Sequence, residues 1–260
     1  MADLVLVDTT DRVRVVTLNR PDARNALDTA LQRAAAEALT AAEADDDVDV
    51  VVLTGADPAF CAGLDLRELG STGDNLKGGG DDPNGNPFAA LWRMAKPVIG
   101  AVNGACVTGG FELALACDFL IASERARFGD THARVGVSPG GGMSVFLPAA
   151  VGVRMAKQMS LTGNFVDAPR ALELGLVNEV VPHEGLIERA VAIGRDIAGN
   201  DQAAVRNLKR LYDDNAKLTG GDAIANEQRV FRSWNVDPAE VERRRAAVVA
   251  RGREQGSKPS

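Results

Sequence analysis

Residues 111–117 (FELALAC) are apolar at every position but one and are entered through the pair Gly109-Gly110. A helix with no polar face cannot lie on a surface, so other elements must enclose it. Its flanks indicate what does so. Residues 97–102 (PVIGAV) and 119–122 (FLIA) are short apolar runs that read as buried strands. Strand, buried helix and strand in close succession call for an α/β fold layered around that helix.

The same alternation precedes this region. Residues 13–18 (VRVVTL) and 47–54 (DVDVVVLT) are rich in β-branched side chains and read as strands. Between them Asp28 can cap a helix whose Ala30, Leu31, Ala34, Ala38 and Leu39 recur at helical spacing. Residues 70–87 (GSTGDNLKGGGDDPNGNP) are too long for an ordinary connection and read as an active-site lid or a disordered stretch. Composition favours disorder, because a Gly-rich polar chain buries too little apolar area to offset its ordering entropy. From about Asp201 the strand signals stop and three helical stretches follow, the last opened by Asp237 at the cap and Pro238 behind it. No internal repeat of fixed period is visible.

A chain of 260 residues makes one generous domain, or one domain with an appendage. Its 29 Lys+Arg against 36 Asp+Glu, with no basic block, offer no footprint for nucleic acid or an anionic membrane. Any phosphate contact is therefore local. No apolar run approaches the roughly 18 residues of a membrane span. The first residues, MADLVLVDTT, lack a basic segment ahead of an apolar core, so a soluble, cytoplasmic protein is expected. Cys61, Cys106 and Cys117 are scattered without a CxxC pair, and His132 and His183 are the only histidines. That set argues against a disulfide framework and against a structural metal site.

Residues 136–140 (GVSPG) match the GxSxG nucleophile elbow in letters only. The residue after the serine must donate its backbone N–H to an oxyanion, and Pro139 has none. The stretch reads as a turn. Neither GxGxxG nor GxxxxGK[ST] occurs, so a nucleotide loop has no support. Glu112 is different, because it sits in the first turn of the apolar helix. A carboxylate there costs several kcal/mol unless it is paired or its pKa rises. Helix-dipole chemistry would account for Glu112 alone. It does not account for the two glycines, which leave N–H groups uncovered where negative charge could develop.

Residues 103–118 (NGACVTGGFELALACD) together with residues 60–66 (FCAGLDL) closely resemble the enoyl-CoA hydratase/isomerase, or crotonase, family. The resemblance covers nearly the whole chain. Asn19-Arg20-Pro21 and Arg24-Asn25-Ala26-Leu27 look like the family's NRP...NAL pattern, Val51 to Gly55 its VVLTG strand, and Pro97 to Gly104 its PVIAAVNG. Phe128-Gly129, Pro139 to Gly142, Leu161-Thr162-Gly163 and Leu174-Gly175-Leu176-Val177 follow in family order.

The resemblance implies a spiral of ββα units over residues 1–199 and a helical C-terminal region over 200–260 that joins subunits into trimers or hexamers. It implies an acyl-CoA thioester as substrate, with no other cofactor, and an oxyanion hole formed by the N–H groups of Leu64 and Gly109. It places Arg24, Ala26, Ala62, Asp65 and Arg67 along the path of the CoA arm, with Arg24 and Arg67 the cations nearest its phosphates. The apolar Leu208, Leu211, Phe231 and Trp234 in the tail fit the subunit contact.

Hydratases of the family use two glutamates, one to activate water and one to deliver the α-proton. Glu112 matches the first. The second belongs at the end of an FGxxE pattern, and here the chain reads Phe128-Gly129-Asp130-Thr131-His132. His132 therefore stands where the second glutamate is expected, as a proton carrier or as a filler of space, with Asp130 the fallback acid. Because the family's isomerases rely on the glutamate lost here, hydration is the more natural reaction. The alternatives are isomerisation, another lyase reaction of the family, or acyl-CoA binding with little turnover.

Overall fold

The computed structural model describes residues 3–77, 80–235, 239, 241–245 and 249. Its strands are β1 (Val5–Thr10), β2 (Val13–Leu18), β3 (Val50–Gly55), β4 (Ala59–Cys61), β5 (Val98–Val102), β6 (Ala105–Val107), β7 (Phe119–Ser123), β8 (Arg127–Gly129), β9 (Val166–Asp167) and β10 (Glu179–Val181). Its α-helices are α1 (Thr29–Ala44), α2 (Leu66–Ser71), α3 (Asp74–Lys77), α4 (Pro87–Arg93), α5 (Gly109–Leu115), α6 (His132–Val135), α7 (Met143–Val151), α8 (Val153–Thr162), α9 (Ala168–Glu173), α10 (Leu186–Ala198), α11 (Gln202–Asn215) and α12 (Gly220–Ser233).

Two sheets organise these elements, one in the order β1-β2-β3-β5-β7-β10 and the other β4-β6-β8-β9. The pairs β3/β4, β5/β6 and β7/β8 each send one strand to the larger sheet and the next to the smaller before a helix follows. Three strand–strand–helix turns therefore stack in parallel, which is the crotonase-type spiral the sequence resemblance implied. The central strands β3 and β5 of the larger sheet are buried on both faces, as parallel strands usually are. Val51 and Leu53 enter the main core with α1 and α5, while Val50 and Val52 meet Leu186 and Ala190 of α10. The antiparallel edge strand β1, almost wholly exposed, carries no buried face and sends no clear signal in sequence.

Helix α5 begins at Gly109, two residues ahead of the expected start, and all seven of its residues are buried. A side chain on Gly110 would fall 2.2 Å from the Cys61 carbonyl oxygen, so glycine is what lets this helix lie directly on β4. In α1, Asp28 caps as expected by accepting from the Leu31 N–H at 2.7 Å. The buried residues are Leu31, Gln32, Ala35, Ala36, Leu39 and Ala42, while Ala34 and Ala38 are half-buried and Ala30 is exposed. An alanine-rich helix offers little contrast from which to read its rotation.

The described parts of the stretch, residues 70–77 and 80–87, are tied into the fold, against the expectation of disorder. Asn75, in α3, is buried; its Nδ2 donates to the carbonyls of Asp65 at 2.9 Å and Leu27 at 3.2 Å. Gln32 donates to the Asn75 carbonyl at 3.0 Å, and Asn86 caps α4. These hydrogen bonds supply what composition could not show.

The chain divides into two compact units, Met1–Lys209 and Arg210–Ser260. The first extends past the last strand because Lys209 pairs with Asp118 and Arg206 lies 3.9 Å from Asp49. In the second, α12 leaves Ile224 and Phe231 exposed. The expected cap at Asp237 and Pro238 lies outside the described residues. Among the described residues no helix is long and apolar enough to cross a membrane.

Candidate active site

The parallel strands β4, β6 and β8 lie side by side, and the segment leaving each delivers one part of the site. After β4 comes Leu64, which forms an isolated parallel bridge with Leu27. Leu27 donates to the Gly63 carbonyl at 2.7 Å and accepts from the Asp65 N–H at 3.0 Å. In such a bridge the flanking peptide groups face the partner, so the N–H of Leu64 itself points away from Leu27. After β6 comes Gly109, the first residue of α5, whose N–H has no intrahelical acceptor. A methyl built on Gly109 would lie 3.7 Å from the Leu64 nitrogen, so the two segments are in contact. Among the described residues neither N–H meets an acceptor.

Backbone geometry holds this contact. Gly63 has φ +91°, and a side chain there would sit 2.8 Å from the Val107 carbonyl oxygen. Thr108 takes φ 50° and ψ −112°, a strained conformation for a β-branched residue, immediately before Gly109. Three hydrogen bonds tie Thr108 to the turn after β8. Its N–H donates to the Gly129 carbonyl at 2.9 Å, its Oγ1 accepts from the Thr131 N–H at 3.1 Å, and the two threonine hydroxyls lie 2.6 Å apart.

One turn into α5 stands Glu112, 3% exposed. Its Oε1 accepts from the N–H groups of Gly141 at 2.7 Å and Met143 at 3.2 Å. Gly141 belongs to the loop after the sequence's GxSxG letters. A side chain there would strike the Phe88 ring at 2.7 Å and the Glu112 Cβ at 2.9 Å. Oε2 is left facing Nε2 of His132, at 3.6 Å. Burial raises the Glu112 carboxyl above its ordinary value, against the opposing pull of the Met143 hydrogen bond, the His132 charge and the Gly141 hydrogen bond.

His132 opens α6 and is itself buried. Its Nδ1 lies 2.6 Å from Asp130 Oδ1, which also accepts from the His132 N–H at 3.1 Å. Burial alone would raise the Asp130 carboxyl, but hydrogen bonds from His132 and Ser160 outweigh it and hold it below the usual range. The site thus contains a carboxylate–imidazole–carboxylate line, Asp130–His132–Glu112.

The segments holding Arg24, Ala26, Ala62, Asp65 and Arg67 run together, joined where the Ala62 N–H donates to the Arg24 carbonyl at 3.0 Å. Arg24 and Arg67 are exposed, with no acidic partner among the described residues. Both oxygens of Asp65 are engaged, Oδ1 capping α2 and Oδ2 meeting Arg20 Nη1 at 2.6 Å. Sequence reasoning missed Arg20 as the organiser of this corner. It also missed Asn25, whose Nδ2 donates to the carbonyls of Ala59 at 2.7 Å and Ala56 at 2.8 Å. The positive φ of Asn25, 55°, is the physical content of the NAL pattern.

The chain belongs to the enoyl-CoA hydratase/isomerase family, whose model matches residues 8–246. Within that family it is similar to an enoyl-CoA hydratase from Mycobacterium avium, with 52% identity, a TM-score of 0.73, and coverage of 88% of this chain and 97% of that one. A probable peroxisomal enoyl-CoA hydratase of Arabidopsis thaliana is 40% identical over 83% of this chain and 80% of its own. A putative enoyl-CoA hydratase/isomerase from Mycobacterium abscessus, at 31% identity, gives a TM-score of 0.84 over 95% of this chain and 96% of its own.

Proposed function

We propose that the protein hydrates an α,β-unsaturated acyl-CoA thioester, with the Leu64 and Gly109 N–H groups holding the thioester oxygen. The observation that carries this reading is the meeting of two N–H groups without acceptors, from separate segments, near a buried carboxylate–imidazole pair. Such donors act on charge that develops in the transition state, and losing one typically costs about 3 to 4 kcal/mol of barrier.

The chemistry balances within the pair. Glu112, with Oε1 held by two amides, takes a proton from water at Oε2. The hydroxide adds to the β-carbon and the electron pair moves onto the thioester oxygen. Imidazolium His132 then gives its Nε2 proton to the α-carbon. The protonated Glu112 and neutral His132 that remain face each other across 3.6 Å, and proton return from Oε2 to Nε2 restores the starting state. Two proton carriers with different tasks support hydration over isomerisation, which needs one carrier to move a proton between carbons.

Arg24 and Arg67 would meet the CoA phosphates, and Ala26, Ala62 and the backbone of Asp65 would line its arm. No cofactor beyond the thioester is required. The helical tail would pack between subunits in a trimer or hexamer, which the exposed Phe231 and Ile224 support. Three free, buried cysteines fit a reducing compartment such as the cytoplasm.

The test is the hydration of crotonyl-CoA, followed by loss of conjugated-thioester absorbance, beside the isomerisation of a 3-enoyl-CoA. Turnover of the second without the first would overturn the proposal.

A further inference from the structure

We propose that Asp130 is a positioning residue that commits the His132 Nδ1–H to itself and presents Nε2 to Glu112, so that the imidazole works as a cation between two carboxylates. This deepens the hydratase reading and rests on it for its kinetic arm.

The argument begins with geometry. A buried carboxylate two residues before a histidine would ordinarily face another way, yet Asp130 Oδ1 accepts from both the backbone N–H and the ring of His132. At 2.6 Å the ring contact has the length of a charge-assisted bond. A carboxylate accepts only, so the ring nitrogen facing it must be the one that carries hydrogen. Nε2 is then the nitrogen that gains and loses a proton, and it faces Glu112. From α8, Ser160 donates to Asp130 and joins the His132 hydrogen bond in holding the carboxyl below its usual range.

The groups facing His132 are few. Glu112 comes from α5 and Asp130 from the segment after β8, while Ser160 of α8 is neutral. The nearest charged side chain on α6, Arg134, is turned to the Thr162 carbonyl and to Asn164. Asp130 therefore supplies the second of the two carboxylates that face the ring, one at each nitrogen.

The experiment uses the full-length protein with 15N-labelled histidine. The chain has two histidines, and His183 lies in a different setting between Ser123 and Asp57, so the spectrum is simple to assign. In the wild type the neutral His132 ring carries its hydrogen on Nδ1, facing Asp130, and leaves Nε2 toward Glu112 without one. Asp130→Ala mixes the tautomers. Asp130→Asn is nearly isosteric and keeps an acceptor while removing the charge. It lowers kcat about tenfold or more, part of the 10² to 10⁴ that proton transfer contributes. KM stays within about twofold, because the hole and the CoA path are untouched. Unchanged tautomers in Asp130→Ala, or an unchanged kcat in Asp130→Asn, would overturn the inference. Should the wild type fail to hydrate any enoyl-CoA, the hydratase reading falls by itself, and the labelled spectrum still decides the role of Asp130.

Discussion

Glu112→Gln separates activity from stability more sharply than any other change in this protein. Glutamine keeps the shape of the side chain, and its two ends find different surroundings. Toward Gly141 and Met143 lie two N–H donors, so the amide oxygen belongs there. The NH₂ then faces Nε2 of His132, which can accept in its neutral form. The reverse orientation would set NH₂ against N–H at two points, costing about 1 to 3 kcal/mol for each orphaned donor.

No backbone hydrogen bond is lost in the favourable orientation, but the base is. The expected fall in kcat is about 10² to 10⁴-fold, or roughly 2.7 to 5.5 kcal/mol of barrier. Stability should move the other way. The folded-state carboxyl is raised by burial, so the folded protein binds that proton more tightly than the unfolded chain does. Wild-type stability therefore declines as pH rises from the unfolded carboxyl value, about 4.3, through the raised one. The variant has no such decline, so it should equal or exceed the wild type in urea at pH 7, with the gap closing toward pH 4. Initial rates on crotonyl-CoA and urea midpoints at the two pH values test both halves. A variant with more than about a tenth of wild-type kcat, or one clearly less stable at pH 7, would refute the reasoning.

The paired glycines should respond differently. Gly110→Ala drives a methyl to 2.2 Å from the Cys61 carbonyl and should cost about 1 to 3 kcal/mol as overpacking, read by thermal unfolding. Gly109→Ala meets its neighbours at ordinary distances of 3.5 to 3.7 Å and should fold normally, while its methyl crowds the donors and lowers kcat about tenfold or more. His132→Glu restores two carboxylates but places one beside Asp130, so hydration should recover fully only when combined with Asp130→Asn; a single variant as active as the double would contradict this. Light scattering should find the wild type oligomeric at micromolar concentration, and Phe231→Glu, which charges an exposed apolar face, should shift it toward monomer.

Legibility in the sequence followed contrast. The buried helix announced itself because FELALAC has one polar residue, and Glu112 stood out against that background. Four strands of the larger sheet, β2, β3, β5 and β7, were readable for the same reason, being apolar runs bounded by turns, whereas the exposed edge β1 and the three-residue β10 were not. The short strands β4, β6 and β8 were not, since three residues carry no periodicity. The rotation of α1 was hidden by alanine, and the order of residues 70–87 depended on Asn75 meeting distant carbonyls. Matching motifs brought Leu64 and Gly109 together on paper. Which ring nitrogen of His132 Asp130 meets could not be foreseen, because neighbours in sequence say little about which way a carboxylate turns.

The smaller sheet has a consequence for how this protein can change over time. On the proposed reading each of its first three strands ends in a separate instrument: one electrophilic amide, a second amide with the base, and the imidazole with its anchor. These instruments sit on successive rungs of a ladder, and each rung is its own stretch of gene. On that reading a lineage could exchange the third for a different acid, or remove it, while the first two went on holding the thioester. Substitution at one rung thus redirects what happens to the substrate without reinventing how it is held, and position 132 is where such divergence would first be sought.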